Sequence, residues 1–120
     1  MRRIMIILVI LAGWPLMALA GEADVVKASA SKSGGAWRFD VTVAHADTGW
    51  DHYADKWDVM APDGTVLGTR VLLHPHETEQ PFTRSLSGVK IPADIREVTL
   101  RAHDKVHGYG GKTITVKLGE

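Results

Sequence analysis

The chain has 120 residues, with 14 basic and 14 acidic side chains, six histidines and no cysteine. The balanced charge, without a basic block, excludes nucleic acid and anionic lipid as expected partners. The missing thiols exclude disulfides, thiolate metal sites and cysteine nucleophiles. We therefore expect a domain that is held together by packing alone.

The first 20 residues have the pattern of an export signal. A basic start precedes an apolar run at 4–12, and Ala18-Leu19-Ala20 offers a small-x-small cleavage site. The run is too short to cross a bilayer, which needs about 20 apolar residues. We predict a signal peptide at 1–20, cleaved to leave one domain at 21–120. The mature chain is expected to lack a membrane span and to be periplasmic or secreted.

Seven short segments after the signal have the residue pattern of β-strands. The second is the clearest, because Trp37, Phe39, Val41 and Val43 alternate with less apolar residues. Turn signals such as Pro62-Asp63-Gly64 separate the segments. The segments are 25–30, 37–43, 53–60, 65–73, 82–86, 97–102 and 113–118. No helical pattern of useful length appears after the signal, so the sequence predicts an all-β antiparallel sandwich.

Two features resemble immunoglobulin-like domains. Trp57 on the third segment takes the place of the buried tryptophan in such domains, here without the disulfide that it usually covers. The tail VTLRAHDKVHGYGGKTITVKL resembles the closing hairpin of many bacterial immunoglobulin-like modules, with Ala102 and Asp104 matching its alanine-x-aspartate pattern. The resemblance implies a single immunoglobulin-like β-sandwich.

Three longer stretches, HADTGWDHYADKW, LLHPHETEQPFTRSL and VHGYGG, together look like a group of small exported bacterial proteins of uncharacterised function. This resemblance covers nearly the whole mature chain. It implies fold and export rather than any particular chemistry.

All six histidines lie in alternate loops of the predicted sandwich. Successive antiparallel strands run in opposite directions, so the loops after strands two, four and six are expected at one pole. These loops cover 45–53, 73–81 and 103–111. Their histidines are His45, His52, His74, His76, His103 and His107.

This clustering predicts a metal site that uses imidazole nitrogens. Imidazole binds copper(II) and zinc without help from thiolates, so these two ions are the expected cofactors, with none otherwise. Oxygen ligands, or carboxylates that orient the imidazoles, are expected from Asp47, Asp51 and Asp104. The first mature residue is predicted to be Gly21, so an amino-terminal histidine chelate is not available.

Other functions stay open, because each histidine taken singly is more often structural than a ligand. The same loops could instead dock on an envelope protein or a glycan, with Trp50, Tyr53 and Tyr109 as aromatic anchors. Catalysis is not expected, because no nucleophile elbow, phosphate-binding loop or zinc-protease helix motif appears. We therefore expect a non-catalytic binding protein.

Overall fold

Seven β-strands pair into two antiparallel sheets in the computed structural model, which describes residues 21–119. The strands are β1 (Asp24–Ser33), β2 (Ala36–Ala44), β3 (Ala54–Met60), β4 (Val66–Val71), β5 (Phe82–Val89), β6 (Glu97–Asp104) and β7 (Ile114–Lys117). The prediction of an all-β antiparallel sandwich is confirmed. The predicted signal peptide, 1–20, lies outside the described residues.

One sheet has the order β1-β2-β5 and the other has the order β4-β3-β6-β7. The chain therefore crosses between the sheets after β2, after β4 and after β5. No helix within 21–119 is both long and apolar enough to cross a membrane.

The β2–β3, β4–β5 and β6–β7 loops meet at one end of the sandwich, which we call the histidine pole (45–53, 72–81 and 105–113). The backbone N–H of His45 donates to the Gln80 side chain at 3.0 Å, which joins the first two loops. The N–H of Lys105 donates to the carbonyl of Tyr53 at 3.1 Å, which joins the first and third. This arrangement follows from the alternating strand direction.

A single hydrophobic core fills the space between the sheets. The inward side chains of β2 are Phe39, Val41 and Val43, and each has no exposed surface. Trp57 on β3 is also fully buried in this core. Its position agrees with the expected tryptophan of the sandwich.

A bulge in β3 changes the direction of the side chains that enter the histidine pole. The pairing with β6 shifts between Ala54 and Lys56, so Asp55 is an extra residue on its strand. As a result Ala54 and Trp57 both point inward although they are three positions apart. Asp55 lies on the outer face of the sheet, beside His103.

Candidate metal centre

Asp47 links three parts of the histidine pole through its buried carboxylate. Its Oδ1 accepts hydrogen bonds from Nδ1 of His45 at 2.5 Å and from the backbone N–H of Ala54 at 3.1 Å. Its Oδ2 accepts from the backbone N–H of His76 at 2.6 Å. Asp47 therefore orients its neighbours, and it lies outside the group of ligand atoms that converge.

His45 directs its second ring nitrogen at a group of acceptor atoms. With Nδ1 donating to Asp47, Nε2 carries a lone pair in the neutral ring, whereas in the doubly protonated ring it donates to the Gly21 carbonyl oxygen. That nitrogen lies 2.9 Å from the carbonyl oxygen of Gly21, 3.2 Å from Nε2 of His52 and 3.7 Å from Oδ2 of Asp104. The His45 side chain is fully buried, so its Nε2 faces these protein atoms and not bulk water.

Asp104 ends β6, and the alternation along this strand points its carboxylate inward. Oδ1 accepts from the backbone N–H groups of Val106 and His107 at 2.8 and 2.6 Å. It also lies 3.4 Å from Nε2 of His52 and 3.3 Å from Nδ1 of His107. Oδ2 is buried and has no hydrogen-bond partner among the described residues. The carboxylate therefore has one oxygen that lacks a donor.

The charge of Asp104 is maintained in spite of its burial. Burial alone would raise the pKa of Asp104. The backbone N–H groups of His107 and Val106, and then the nearby imidazoles of His45 and His107, outweigh it and lower the pKa below its ordinary value. The group is therefore a carboxylate at neutral pH.

The β6–β7 loop folds back on itself and places His107 over this carboxylate. Asp104 and Gly108 exchange two backbone hydrogen bonds of 3.1 Å each, and Gly108 has a φ of 71° that favours glycine. The His107 ring lies 5.1 Å from the His52 ring, centroid to centroid. The side chains of His52 and His107 are 23% and 37% exposed, so the centre is open to solvent on this side.

His45, His52 and Asp104 form the candidate centre, because their ligand atoms all lie within 4.8 Å of one another. The shortest nitrogen–nitrogen distance is 3.2 Å, and the His52 nitrogen lies 3.4 Å from the carboxylate. A tetrahedral ion with bonds near 2.0–2.1 Å requires ligands about 3.3–3.4 Å apart. Two imidazoles and a carboxylate are also a donor set that zinc and copper(II) accept.

A cavity of ≈ 510 Å³ opens on the other side of His45. Three acidic side chains, Glu22, Asp24 and Glu77, contribute to its lining. Carboxylates concentrated in a concave surface attract cations. The cavity therefore adds negative potential next to the candidate centre.

His76 and His74 lie outside the candidate centre. His76 is buried behind Asp47, stacked on the Phe82 ring at 3.9 Å, with Nε2 3.1 Å from a guanidinium nitrogen of Arg84. Burial, followed by the charges of Arg84 and His74, lowers the pKa of His76. His76 is thus a neutral packing residue, whereas His74 is exposed on its loop.

His103 also lies outside the candidate centre, because it points to the outer face of the four-stranded sheet. Its Nδ1 bonds the Asp55 carboxylate at 2.6 Å. The Tyr109 ring contacts His103 edge-on at 4.7 Å, and the Tyr109 hydroxyl donates to Asp58 at 2.8 Å. The Arg101 guanidinium lies 3.7 Å from the centre of the same ring. Tyr109 is thus packed against the sheet, with its hydroxyl already bonded.

The other two predicted anchors differ in exposure. Trp50 is 64% exposed, while Tyr53 is 9% exposed and contacts the Trp50 ring at 5.6 Å. The third predicted carboxylate, Asp51, is exposed on the same loop and is not part of the candidate centre.

The structure thus brings together four of the predicted site residues, His45, His52, His107 and Asp104, with Asp47 behind them. Sequence reasoning missed two residues that contact them. The Gly21 carbonyl lies inside the cluster, and Gln80 accepts from the N–H of His45 while donating to the carbonyl of His76 at 2.9 Å. Neither a glycine nor a glutamine next to a proline gives a sequence signal for such a role.

Comparison with known proteins places the fold more clearly than the function. No protein-family model matches the chain. A "Putative lipoprotein" of Halomicrobium mukohataei is 46% identical over 96 residues, which are 79% of this chain and 47% of that protein. The chain therefore spans about half the length of this relative.

One solved structure is similar to this one. It is the crystal structure of a hypothetical protein from Pyrococcus horikoshii OT3, with a TM-score of 0.54 and 13% sequence identity. The match covers 81% of this chain and 89% of the other chain. At this identity the likeness concerns the fold alone.

Proposed function

We propose that the protein is an exported, non-catalytic binding protein that holds a divalent transition metal at His45, His52 and Asp104. The observation that carries the proposal is the convergence of two imidazole nitrogens, 3.2 Å apart, on the buried Asp104 carboxylate. His45 lies 3.7 Å from Oδ2, which lacks a donor among the described residues, and His52 lies 3.4 Å from Oδ1. These distances match the ligand spacing around a tetrahedral ion.

The electrostatics of the cluster support a bound cation. The Gly21 carbonyl oxygen and the Asp104 carboxylate are acceptors, and both face Nε2 of His45 in a buried site. Acceptors brought together without donors repel, and the cost is larger away from water. Protons on the Nε2 atoms of His45 and His52 relieve this repulsion, and a metal ion bound to both nitrogens would relieve it in their place.

The donor atoms favour copper(II) or zinc over other ions. Imidazole nitrogen with carboxylate oxygen suits both, and no thiolate is available in the chain. His45 already donates its other ring proton to Asp47, the arrangement typical of histidines that ligate metals. His107, which is partly exposed, lies 3.3 Å from Asp104 through Nδ1 and is a third imidazole beside the site.

Export is supported by the signal pattern in 1–20 and by the lipoprotein name of the Halomicrobium relative. We place the protein in the periplasm or outside the cell on this basis. The strand orders β1-β2-β5 and β4-β3-β6-β7, with Trp57 in the core, support the finer classification as immunoglobulin-like. We assign no enzymatic activity, because the sequence carries no motif for a nucleophile.

The test is metal titration of the purified mature protein after treatment with a chelator. We expect one copper(II) or zinc ion per chain and a rise in melting temperature, since a ligand stabilises the state that it binds. His52→Ala removes a partly exposed ligand and should weaken binding at least about tenfold. The matched control is His74→Ala, which changes an exposed histidine on a neighbouring loop. Unchanged melting with copper, zinc and nickel would refute the proposal.

A second candidate function is docking on an envelope protein or a glycan. The three loops of the histidine pole all expose large hydrophobic side chains: Trp50 at 64%, Leu73 at 75%, and Val106 and Tyr109 at 59% and 37%. Exposed aromatic and apolar side chains at one pole favour recognition of a partner. Capture of one partner that persists in chelator and is lost in Trp50→Ser would support docking. Capture that Trp50→Ser leaves intact would argue against Trp50 as the anchor.

A further inference from the structure

Gly21 lies within the imidazole cluster. Its carbonyl oxygen is 2.9 Å from Nε2 of His45 and 3.3 Å from Nε2 of His52. A Cβ at this position would overlap the His107 ring, with Nε2 only 2.8 Å away. One buried glycine backbone therefore lies against three imidazoles, and any other residue would displace His107.

The segment that follows Gly21 is fixed in place. Ala23 and Val25 are buried, and the N–H of Val25 donates to the carbonyl of Lys112 at 2.9 Å. The N–H of Lys112 in turn donates to the Asp24 carboxylate at 2.7 Å. The position of the Gly21 backbone is thus set by pairing with the chain that leads into β7.

Cleavage after Ala20, where the signal pattern places it, would change the chemistry of this backbone. Before cleavage the Gly21 nitrogen is an amide, whose lone pair is delocalised into the peptide bond. After cleavage it is an α-amine, with an ordinary pKa of about 7.7–8.0 and a lone pair that is available to a metal. Three bonds separate this nitrogen from the Gly21 carbonyl oxygen, so it lies within about 4 Å of that oxygen.

We propose that signal-peptide removal completes the metal centre, with the α-amine of Gly21 as a nitrogen ligand beside His45, His52 and Asp104. This inference rests on the proposed function. The amine and the carbonyl of one residue can close a small chelate ring on the same ion. A set of three nitrogens and an oxygen favours copper(II), which stands highest among divalent ions in affinity for such ligands.

The proposal couples metal loading to export. In the uncleaved chain the Gly21 nitrogen is not a ligand, so copper binds weakly before processing. In the processed chain the amine must lose its proton to bind. Copper binding therefore displaces the proton that this amine carries, in addition to any released by the other ligands.

The experiment compares the processed protein with a variant that has one extra glycine between Ala20 and Gly21. The full precursor of each is exported in a bacterial host, and the intact mass of the product locates the cleavage site. The insertion moves the amine by one residue, about 3.8 Å between Cα atoms, and leaves every side chain of the centre in place. Copper(II) affinity and proton release are then measured by calorimetry in buffers of different ionisation enthalpy.

We expect the product of the parent precursor to begin at Gly21. We expect the insertion variant to bind copper(II) at least about tenfold more weakly and to release about one proton fewer. Equal affinity and equal proton release would overturn the amine ligand and leave the histidine centre standing. A product that begins elsewhere would also overturn it. If His52→Ala weakened copper binding in neither protein, the proposed function itself would be refuted instead.

A second measurement uses the unaltered processed protein, so that it does not depend on how the insertion variant folds. Copper(II) protein with ¹⁵N-labelled glycine is compared with unlabelled protein by electron paramagnetic resonance methods that resolve nitrogen couplings. A directly bound glycine nitrogen changes the coupling pattern on labelling. An identical pattern in the two samples would exclude the Gly21 amine from the ion.

Discussion

The Asp47 carboxylate lies 2.5 Å from Nδ1 of His45, and both side chains are fully buried. This contact selects the tautomer of the neutral His45 ring, because the proton must lie on the nitrogen that faces the carboxylate. The other nitrogen then presents a lone pair to His52 and Asp104. Asp47 would thus orient a ligand of the proposed ion without contacting that ion.

Asp47→Ala should lower both stability and metal affinity. The substitution leaves the N–H groups of Ala54 and His76 and Nδ1 of His45 without their acceptor, in a buried site. We expect a loss of about 3 kcal/mol in the free energy of unfolding, measured with urea. Metal affinity should fall about 10–100-fold, because His45 loses its orientation.

The matched control for Asp47→Ala is Asp51→Ala, which changes an exposed aspartate on the same loop. Its stability should stay within about 0.5 kcal/mol of the parent protein. If the two variants unfolded at the same urea concentration, the linking role of Asp47 would be wrong.

Asp104→Asn should separate metal binding from apo stability. Asparagine keeps an oxygen for the N–H groups of Val106 and His107, and its NH₂ group can donate toward the His45 lone pair. We expect the metal-free protein to melt at the same temperature or higher. The rise in melting temperature on adding copper(II) or zinc should be lost. A variant that kept its metal response would remove Asp104 from the set of ligands.

Mild acid should destabilise the fold through His76. Its pKa is lowered in the folded protein, so the unfolded chain takes up the proton more readily. His76 therefore makes its full contribution to the free energy of unfolding above the ordinary pKa of 6.5. This contribution decreases as the pH falls from 6.5 toward the lower pKa of His76 in the folded protein. Urea unfolding between pH 7.5 and pH 5, a range of about one unit or more on either side of 6.5, measures the slope.

His76→Gln should reduce this slope, because glutamine does not titrate. His74→Gln, on the same loop but exposed, removes only one of the charges that lower the pKa of His76 and should reduce the slope less than His76→Gln does. Equal slopes for the two variants would assign the acid sensitivity to other groups.

Trp57→Ala and Trp57→Phe should differ widely in cost. Alanine leaves a large cavity at a position with no exposed surface, and we expect a loss of about 3–5 kcal/mol. Phenylalanine also removes an indole N–H that has no hydrogen-bond partner among the described residues, which offsets part of the lost contact. Urea unfolding should rank Trp57→Ala well below Trp57→Phe. If both variants lost a similar amount of stability, the cavity left by alanine would not be the main cause of the loss.

Much of the fold could be predicted because strand periodicity is a local property. Side chains such as Phe39 and Val41 must alternate with polar ones wherever a strand has one buried face, and turns such as Pro62 to Gly64 have their own chemistry. The limits of β5 were harder to predict. The predicted segment ended at residue 86. The strand continues to Val89, and Gly88 adopts a φ of 73° within it.

The sequence predicted which loops form the candidate centre but not which side chains point into it. Alternating strand direction explains why the three loops meet, and it does so without any knowledge of side-chain direction. Which ring turns inward depends on strand parity and on contacts across the loops. His103 precedes Asp104 by one residue and therefore points to the opposite face, while His76 is held behind Asp47. Gly21 lies in the cluster beside a segment that is held by bonds of Val25 and Asp24 to Lys112, contacts that the sequence does not encode locally.

The candidate centre takes His45 from the end of β2 and Asp104 from the end of β6, which belong to different sheets. An ion held by both residues would cross-link the two layers in a domain that contains no cysteine. It would then restrain separation of the layers as a disulfide does in other exported sandwiches, but reversibly and according to the supply of metal outside the cytoplasm.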